Sequence, residues 1–248
     1  MENNDSIFFA SDFHLGLPAG SDPMEREKKV IKWLESIAGN AKGIYLLGDI
    51  FDFWWEYRRV VPKGFTRFLG TIAKITDTGV PVHFFTGNHD MWVADYFRRE
   101  CGMIIHTGPL ITTFNDKKFL LAHGEGLGTD STGYKILLSI FNNKFLRKCY
   151  SAMHPNIGMI IGLRWSLNSR LGKGISKEFL GEEKEDLIKY AKTILKKEDI
   201  DYFIFGHRHL AMTYRLTESS EVFILGDWIK HGSYIEWTDG KLLLRMVD

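Results

Sequence analysis

The sequence contains little cysteine, no long apolar run and almost no net charge. Its two cysteines, Cys101 and Cys149, stand far apart without metal-ligand spacing, which excludes a disulfide-stabilised secreted domain and favours a reducing compartment. No stretch approaches the roughly 18 consecutive apolar residues that a membrane-spanning helix needs, and the first residues lack the pattern of a secretory signal. We therefore expect a cytoplasmic protein that contacts a membrane only peripherally.

The charge balance excludes any general attraction to polyanions. A net charge of +1 over 248 residues gives no overall attraction to nucleic acid or to an anionic surface. Any such partner has to bind a local patch. The length suits one large α/β domain, with or without an insertion. We expect a single domain over residues 1–248, no nucleic-acid partner and no obligate protein partner.

Acidic residues are also missing from one long segment. Residues 131–177 contain no Asp or Glu in 47 positions but carry eight Lys or Arg. Leu137, Phe141 and Phe145 recur there at every fourth position, which predicts one apolar helix face. The sequence therefore predicts a helical insertion at about 129–177 that is both apolar and basic. Such a segment suits contact with an anionic membrane surface, a helical hairpin packed on the core, or an oligomer interface.

What the chain does contain is a set of metal-binding residue types placed after short apolar runs. Five such runs end directly before these residues: Asp12 and His14; Asp49; Asn88, His89 and Asp90; His123; His207 and His209. Apolar runs of this length that alternate with amphipathic helices predict parallel strands. Because open α/β sheets bind ligands beyond the carboxyl ends of their strands, we expect the five clusters to converge at one edge.

Seven of these residues suit divalent ions: Asp12, His14, Asp49, Asn88, His123, His207 and His209. One ion needs roughly three or four protein ligands, so seven residues serve two ions if one carboxylate bridges them. Asp49 is the expected bridge, because it lies between the flanking groups in chain order and its neighbour Gly48 lets the backbone pack closely. Carboxylate, imidazole and amide groups together favour Mn, Fe, Co or Zn. Two such ions about 3.5–4 Å apart promote in-line displacement at phosphorus, which predicts a phosphoesterase.

The two remaining residues of the third cluster are not required as metal ligands. His89, next to Asn88, is expected to protonate the leaving oxygen or to bind a phosphate oxygen. Asp90 is expected to fix the tautomer of His89. Asn88, His89 and Asp90 are therefore the predicted catalytic residues.

The segments between and after the clusters predict the architecture. Asp22, Pro23 and Glu25 are typical of a helix start, and another long helix is predicted over residues 178–197. The C-terminal part contains four short β-rich runs, at 211–216, 221–225, 233–237 and 241–245. These runs predict an antiparallel second sheet. Two sheets packed face to face with helices outside would form a four-layer α/β sandwich.

Taken together, the clusters resemble the calcineurin-like metallophosphoesterases. The motifs are Asp-x-His, Gly-Asp-x-x-Asp, Gly-Asn-His-Asp, a lone His and Gly-His-x-His, in this order between residues 12 and 209. The resemblance implies a four-layer αββα fold that holds two metal ions. One ion would bind Asp12, His14, Asp49 and His209. The other would bind Asp49, Asn88, His123 and His207.

A narrower resemblance links the chain to the UDP-2,3-diacylglucosamine hydrolases of lipid A synthesis. Three segments carry it: Gly-Asp-Ile-Phe-Asp-Phe-Trp at 48–54; Thr129 and Asp130 with Tyr134; and Leu-Gly-Asp-Trp at 225–228, followed by Gly232 and Ser233. The insertion lies where those enzymes carry a helical lid. One position departs from the pattern, because the best-known members have Arg where this chain has His89.

The narrower resemblance implies cleavage of the diphosphate of UDP-2,3-diacylglucosamine, giving UMP and 2,3-diacylglucosamine 1-phosphate. It implies two metal ions, with manganese the first choice, and a lid that covers the acyl chains. The residues that would contact the sugar and acyl region are Asp130, Tyr134, Arg164, Ser166 and Asn168. The enzyme would act on this lipid-linked nucleotide sugar at the cytoplasmic face of the inner membrane.

Two alternatives stay open at this point. The first is another dinuclear phosphoesterase, acting on a nucleotide, a nucleic acid, or a different phosphodiester or phosphomonoester. A nuclease is expected to show a long basic track, and the protein phosphatases that the motifs also resemble carry Arg at the position of Phe53. The second alternative is a non-catalytic, membrane-associated binding module that keeps the fold.

Overall fold

The computed structural model describes residues 6–19, 22–129, 132–172 and 178–247. Eleven strands form in this part of the chain: β1 (Ser6–Ala10), β2 (Ala41–Leu47), β3 (Val82–Phe85), β4 (Ile104–His106), β5 (Leu110–Phe114), β6 (Lys117–Ala122), β7 (Tyr202–Phe205), β8 (Met212–Arg215), β9 (Glu221–Ile224), β10 (Ser233–Thr238) and β11 (Lys241–Met246). Seven helices accompany them there: α1 (Pro23–Ala38), α2 (Thr66–Asp77), α3 (Tyr96–Cys101), α4 (Thr132–Asn142), α5 (Lys144–Ala152), α6 (Pro155–Gly172) and α7 (Asp186–Leu195).

The strands form two sheets that lie face to face. The order is β11-β10-β1-β2-β3-β4 in the first sheet and β5-β6-β7-β9-β8 in the second. β1 to β4 run parallel, as do β6, β7 and β9, while β5, β8, β10 and β11 pair antiparallel with their neighbours. Phe9, Tyr45 and Phe85 of the first sheet belong to one apolar cluster with Phe119 and Ile204 of the second. This cluster is the layer between the sheets.

Helices cover the outer face of each sheet. Leu34 of α1 and Phe68 of α2 pack in one cluster with Ile44 of the first sheet. On the other side, Ile188 of α7 packs with Phe203 of the second sheet. Both sheets therefore lie between helices, and the predicted four-layer sandwich is confirmed.

The last helix is shorter than the sequence predicts. The expected helix over 178–197 begins only at Asp186. Before it, the Glu185 carboxylate accepts the Leu180 N–H at 3.3 Å and pairs with Arg208 at 2.8 Å. The prediction was wrong for the preceding residues, because a partner from a distant loop holds them in a turn.

The C-terminal strands divide between the two sheets, where the sequence predicted one antiparallel sheet. β8 and β9 join the second sheet, whereas β10 and β11 extend the first through β1. Along β10, Ile235 and Trp237 are buried in the layer between the sheets and alternate with less buried residues. Such alternation indicates that one face of the strand is buried, but it does not indicate the sheet to which the strand belongs. For this reason the prediction of a single antiparallel C-terminal sheet was wrong.

Three helices, α4 to α6, lie beside the sandwich where the insertion was predicted. Gly158 and Gly162 let α6 approach the core closely, since a Cβ at these positions would overlap Tyr57 and Phe53, respectively. Other apolar side chains of these helices face outward, and Phe145 is 72% exposed. Across the described part of the chain, no helix has both the length and the apolar character that crossing a bilayer requires.

Candidate metal centre and active site

The predicted metal ligands meet where the carboxyl ends of both sheets come together. Asp12 and His14 follow β1, Asp49 follows β2, and His123 and His207 follow β6 and β7. β1 and β2 belong to the first sheet, whereas β6 and β7 belong to the second. The site therefore straddles two sheets instead of lying at the edge of one.

The described residues include three overlapping groups of side chains that could each hold an ion. The groups are Asp12, His14 and His209; His14, Asp49 and His89; and Asp49, His123 and His207. Within each group the ligand atoms lie within 4.8 Å of one another. Six of the seven predicted ligands are in these groups, and the seventh, Asn88, precedes His89 in the chain.

Asp49 lies between the two outer groups. Its Oδ2 atom is 3.3 Å from His123 Nε2 and 3.9 Å from His14 Nε2. Burial opposes the ionisation of Asp49, but the imidazoles of His123, His89 and His14 hold its pKa well below the usual range. A carboxylate that stays ionised between two groups of imidazoles suits a bridging ligand.

Buried ligand atoms indicate that the site fits cations. Asp12 Oδ2 accepts the backbone N–H of His207 at 3.0 Å. The other Asp12 oxygen, Oδ1, and Asn88 Oδ1 are buried without a hydrogen-bond partner among the described residues, which is rare for protein oxygens. Burial, with His123, lowers the pKa of His207 to about 3, and a neutral imidazole is the form that binds metal. The donor set and the unpaired oxygens therefore fit two divalent ions.

The loops that carry the ligands hold an unfavourable backbone conformation. Five ligands have a positive φ: Asp12 (57°), His14 (46°), Asp49 (52°), His207 (67°) and His209 (51°). Residues other than glycine seldom adopt this left-handed region, and each instance costs about 1–3 kcal/mol. Such strain persists only where the surrounding structure holds it, and here it occurs where the ligands of the two sheets meet.

Two glycines allow the ligand loops to approach one another. Gly48 has a φ of +83°, and a Cβ there would lie 2.6 Å from the His123 ring. A Cβ at Gly87 would overlap the Asp49 carboxylate. The expectation that Gly48 permits close packing beside Asp49 is confirmed.

We expect Gly87→Ala to disable this centre while the sandwich stays folded. The added methyl group has to displace Asp49, and a shift of about 1 Å can lower a rate about 100-fold. Phosphodiester hydrolysis should therefore fall by about two orders of magnitude, with an unchanged far-ultraviolet circular dichroism spectrum. Gly108→Ala is the matched control, because nothing lies within 4 Å of a Cβ there. Equal activity of the two variants would contradict the close-approach argument.

His89 reaches the site, and two groups hold its ring. His89 Nδ1 lies 2.9 Å from the Asp52 carbonyl oxygen and 3.0 Å from Ser166 Oγ. Because a carbonyl oxygen only accepts hydrogen bonds, Nδ1 carries a proton. The other ring nitrogen, Nε2, lies 4.0 Å from Asp49 Oδ2. His89 is thus placed to contact a phosphate oxygen beside the metal ligands.

Asp90 braces two loops instead of orienting its neighbour. Its carboxylate accepts the backbone N–H groups of Gly87 and Ile50, each at 2.7 Å, and that of Asp49 at 3.3 Å. Burial, with Asp49, raises the pKa of Asp90 to about 7, although the N–H donor of Gly87 opposes the rise. The prediction that Asp90 fixes the tautomer of His89 was wrong, because backbone donors occupy both of its oxygens.

The residues predicted to contact the sugar and acyl region have different surroundings. Asp130 lies outside the described residues. Tyr134 falls in the first turn of α4, and Arg164 and Asn168 are exposed on α6. Ser166 is fully buried and its hydroxyl contacts His89. The structure therefore places Ser166 on the side of α6 that faces His89.

An apolar cavity of about 260 Å³ lies between the insertion and the core. Its walls include Trp92 from the core, Phe141 from α4 and Trp165 from α6, and Arg147 lines it as well. Trp165 also packs near His89, with ring centroids 5.6 Å apart. Trp165 therefore borders both the cavity and His89.

Two acidic residues near the ligands were not predicted from the sequence. Glu125 follows His123 by two positions, and burial raises the pKa of Glu125 to about 7. Asp227 Oδ2 lies 3.2 Å from His209 Nδ1. Burial opposes the ionisation of Asp227, but the hydrogen bond with His209 lowers its pKa to about 2. The sequence offered one signal for Asp227, its place in the Leu-Gly-Asp-Trp segment.

The ligand cluster and the two-sheet fold agree with one known family. The family model described as calcineurin-like phosphoesterase matches residues 6–211. The chain belongs to the calcineurin-like phosphoesterases. The predicted superfamily and enzyme class are thereby confirmed, and the Asp and His cluster is able to hold the divalent metal ions that this family implies.

Named phosphoesterases are similar to this chain over nearly its full length. The UDP-2,3-diacylglucosamine hydrolase of Porphyromonas gingivalis is 41% identical, covering 98% of this chain and 97% of that protein. The hydrolase of the same name from Aeromonas salmonicida is 26% identical, covering 95% and 91%. Among solved structures, the phosphoesterase Yfce from E. coli has a TM-score of 0.45 and 14% identity, covering 98% and 100%. The narrower resemblance seen in the sequence is confirmed by the relative from Porphyromonas gingivalis.

Proposed function

We propose that this phosphoesterase cleaves the diphosphate of UDP-2,3-diacylglucosamine, releasing UMP and 2,3-diacylglucosamine 1-phosphate. The structural observation that supports this substrate is an apolar cavity of about 260 Å³ beside the metal ligands. The substrate has two matching parts, a diphosphate and a pair of acyl chains. The relative that is 41% identical carries the name of this activity.

We propose two manganese ions as the cofactor, because the ligand set mixes carboxylate, amide and imidazole groups. The first ion would be held by Asp12, His14, Asp49 and His209. The second would be held by Asp49, Asn88, His123 and His207. Ions bound there would lower the pKa of a water molecule and stabilise charge on phosphate oxygens.

The protein's own groups place the diphosphate for hydrolysis. The Asp52 carbonyl and the Ser166 hydroxyl hold His89 by Nδ1, which leaves Nε2 facing the site. When His89 carries a second proton, its Nε2–H donates to a phosphate oxygen and offsets the negative charge there. Acyl chains bound in the cavity would fix the sugar end of the substrate, so the diphosphate is held against the ligand cluster.

The proposal is tested by removing the acyl chains from the substrate. UDP-2,3-diacylglucosamine should release UMP readily. UDP-glucosamine without acyl chains should be cleaved at least about 100-fold less efficiently. Each buried methylene contributes about 0.8 kcal/mol, so the loss of about four buried methylenes is enough to lower the efficiency by this factor. Equal cleavage of the two compounds would leave a metal-dependent phosphoesterase but remove the lipid substrate.

We further propose that the insertion rests on the cytoplasmic face of the inner membrane. Three apolar side chains on α5 and α6 are strongly exposed: Phe145 (72%), Ile157 (53%) and Ile160 (52%). Lys144 and Lys148 are exposed on α5 beside them. Exposed apolar groups next to basic groups suit the surface of an anionic membrane, where a lipid with two acyl chains resides.

Replacing Phe145 and Ile157 by serine should weaken vesicle binding by at least about 10-fold. Full burial of each side chain in the membrane would contribute about 1.5–3 kcal/mol, and even partial burial of the two together exceeds the 1.4 kcal/mol or so that corresponds to a factor of ten. Cosedimentation with vesicles of phosphatidylglycerol and phosphatidylethanolamine measures this. Ile104→Ser is the control, since Ile104 is 43% exposed on β4, outside the insertion. Unchanged vesicle binding of the double variant would contradict the membrane proposal.

A further inference from the structure

Asp227 lies directly behind one of the metal-binding imidazoles. It is buried in the turn that follows β9, and its Oδ2 atom is 3.2 Å from His209 Nδ1. On the opposite side of the ring, His209 Nε2 lies 3.3 Å from Asp12 Oδ1 and 3.2 Å from His14 Nε2. An ionised carboxylate only accepts hydrogen bonds, so Nδ1 carries the proton and Nε2 presents its lone pair to the site.

The turn that carries Asp227 is itself fixed to the site. Asp227 Oδ1 accepts the Lys230 N–H at 2.7 Å, and the Asp227 carbonyl accepts the Gly232 N–H at 2.9 Å. The next residue, Trp228, donates its backbone N–H to the Asp12 carbonyl at 3.1 Å. One short turn therefore contacts the backbone of one ligand and the ring of another.

Two other imidazoles of the centre are held differently. His123 Nδ1 lies 2.7 Å from the Leu47 carbonyl oxygen, and His89 Nδ1 lies close to the carbonyl of Asp52. These acceptors are neutral, whereas Asp227 is a carboxylate. A charged acceptor behind an imidazole fixes its tautomer and also raises its basicity as a metal ligand.

We infer that Asp227 is a positioning residue that sets the tautomer and the orientation of His209 for one of the two metal ions. The ion concerned is the one that Asp12 and His14 would also bind. The inference rests on the metal centre and is independent of the proposed lipid substrate. Groups of this kind typically contribute about 10–100-fold to metal affinity.

Asp227→Asn in the full chain tests this by calorimetric titration of the metal-free protein with Mn²⁺. The variant keeps the size of the side chain but loses its charge. One of the two ions should bind about 10–100-fold more weakly, while the other keeps its affinity. His231→Ala is the matched control, because His231 Nδ1 contacts Asp227 Oδ1 at 3.6 Å on the side away from His209. Two unchanged affinities, or two equally reduced ones, would overturn the inference.

A double-mutant cycle separates this role from a general effect on the turn. If Asp227 acts through His209, adding Asp227→Asn to His209→Ala should weaken Mn²⁺ binding no further. A further loss equal to that of the single variant would show an independent role and overturn the inference.

The unaltered protein gives a second measurement, which stands even if the variants do not fold. In the Zn²⁺-loaded chain, nitrogen chemical shifts of His209 should show a hydrogen-bonded proton on Nδ1 and the metal on Nε2. Metal bound to Nδ1 would overturn the inference.

Discussion

Asp49→Ala is expected to remove both metal ions and to lower phosphodiester hydrolysis by at least about 1,000-fold. Asp49 Oδ2 lies 3.9 Å from His14 Nε2 and 3.3 Å from His123 Nε2. Without Asp49, each of the two ions would therefore lose a carboxylate ligand. Two ions contribute several kcal/mol of charge stabilisation, and each 1.4 kcal/mol or so is a factor of ten in rate. Metal analysis after dialysis, together with kcat/KM for bis(p-nitrophenyl) phosphate, measures both effects.

Two further variants make the bridging role of Asp49 specific. Asp77→Ala changes an exposed carboxylate at the end of α2 and should keep both ions and full activity. His209→Ala removes a ligand of one outer group only, so it should weaken the binding of one ion and leave the other unchanged. An Asp49→Ala protein that still holds two ions, or that hydrolyses the diester at the original rate, would contradict the account.

Ile161→Trp is expected to separate the lipid substrate from a generic diester. Ile161 lines the apolar cavity, and a tryptophan there occupies volume that an acyl chain needs. Excluding about four methylenes at about 0.8 kcal/mol each should lower kcat/KM for UDP-2,3-diacylglucosamine by about 100-fold or more. Bis(p-nitrophenyl) phosphate has no chain to place in the cavity, so its hydrolysis should stay within about twofold.

Leu163→Trp is the matched control for this variant. Leu163 lies two positions further along α6, is 36% exposed and is not part of the cavity wall. Its replacement should leave the turnover of both substrates unchanged. If Ile161→Trp lowers both activities equally, the substitution acts by displacing α6 and the cavity is not an acyl site.

The convergence of the candidate ligand residues was predictable because each lies in a short motif directly after an apolar run. Asp12 and His14 follow β1, and His207 follows β7, so local patterns located them. Their backbone conformation was not predictable. A positive φ at Asp12, His14 and His207 arises because the surrounding structure holds these loops, and no residue type there signals it.

Interactions between distant parts of the chain were the ones that sequence reasoning missed. Asp90 was assigned to His89 because the two are adjacent in sequence, yet its oxygens accept N–H groups from a loop about forty positions earlier. The predicted helix begins late, at Asp186, because Glu185 pairs with Arg208, 23 residues away. Similarly, β10 joins the first sheet because its partner is β1, at the opposite end of the chain.

Release of UMP from UDP-2,3-diacylglucosamine, followed as Mn²⁺ is added to the metal-free protein, tests the central claim most directly. We expect no UMP without metal, a rate that saturates once the two sites are filled, and much slower cleavage of bis(p-nitrophenyl) phosphate under the same conditions. Rapid cleavage of the generic diester without release of UMP from the lipid substrate would contradict the proposed function.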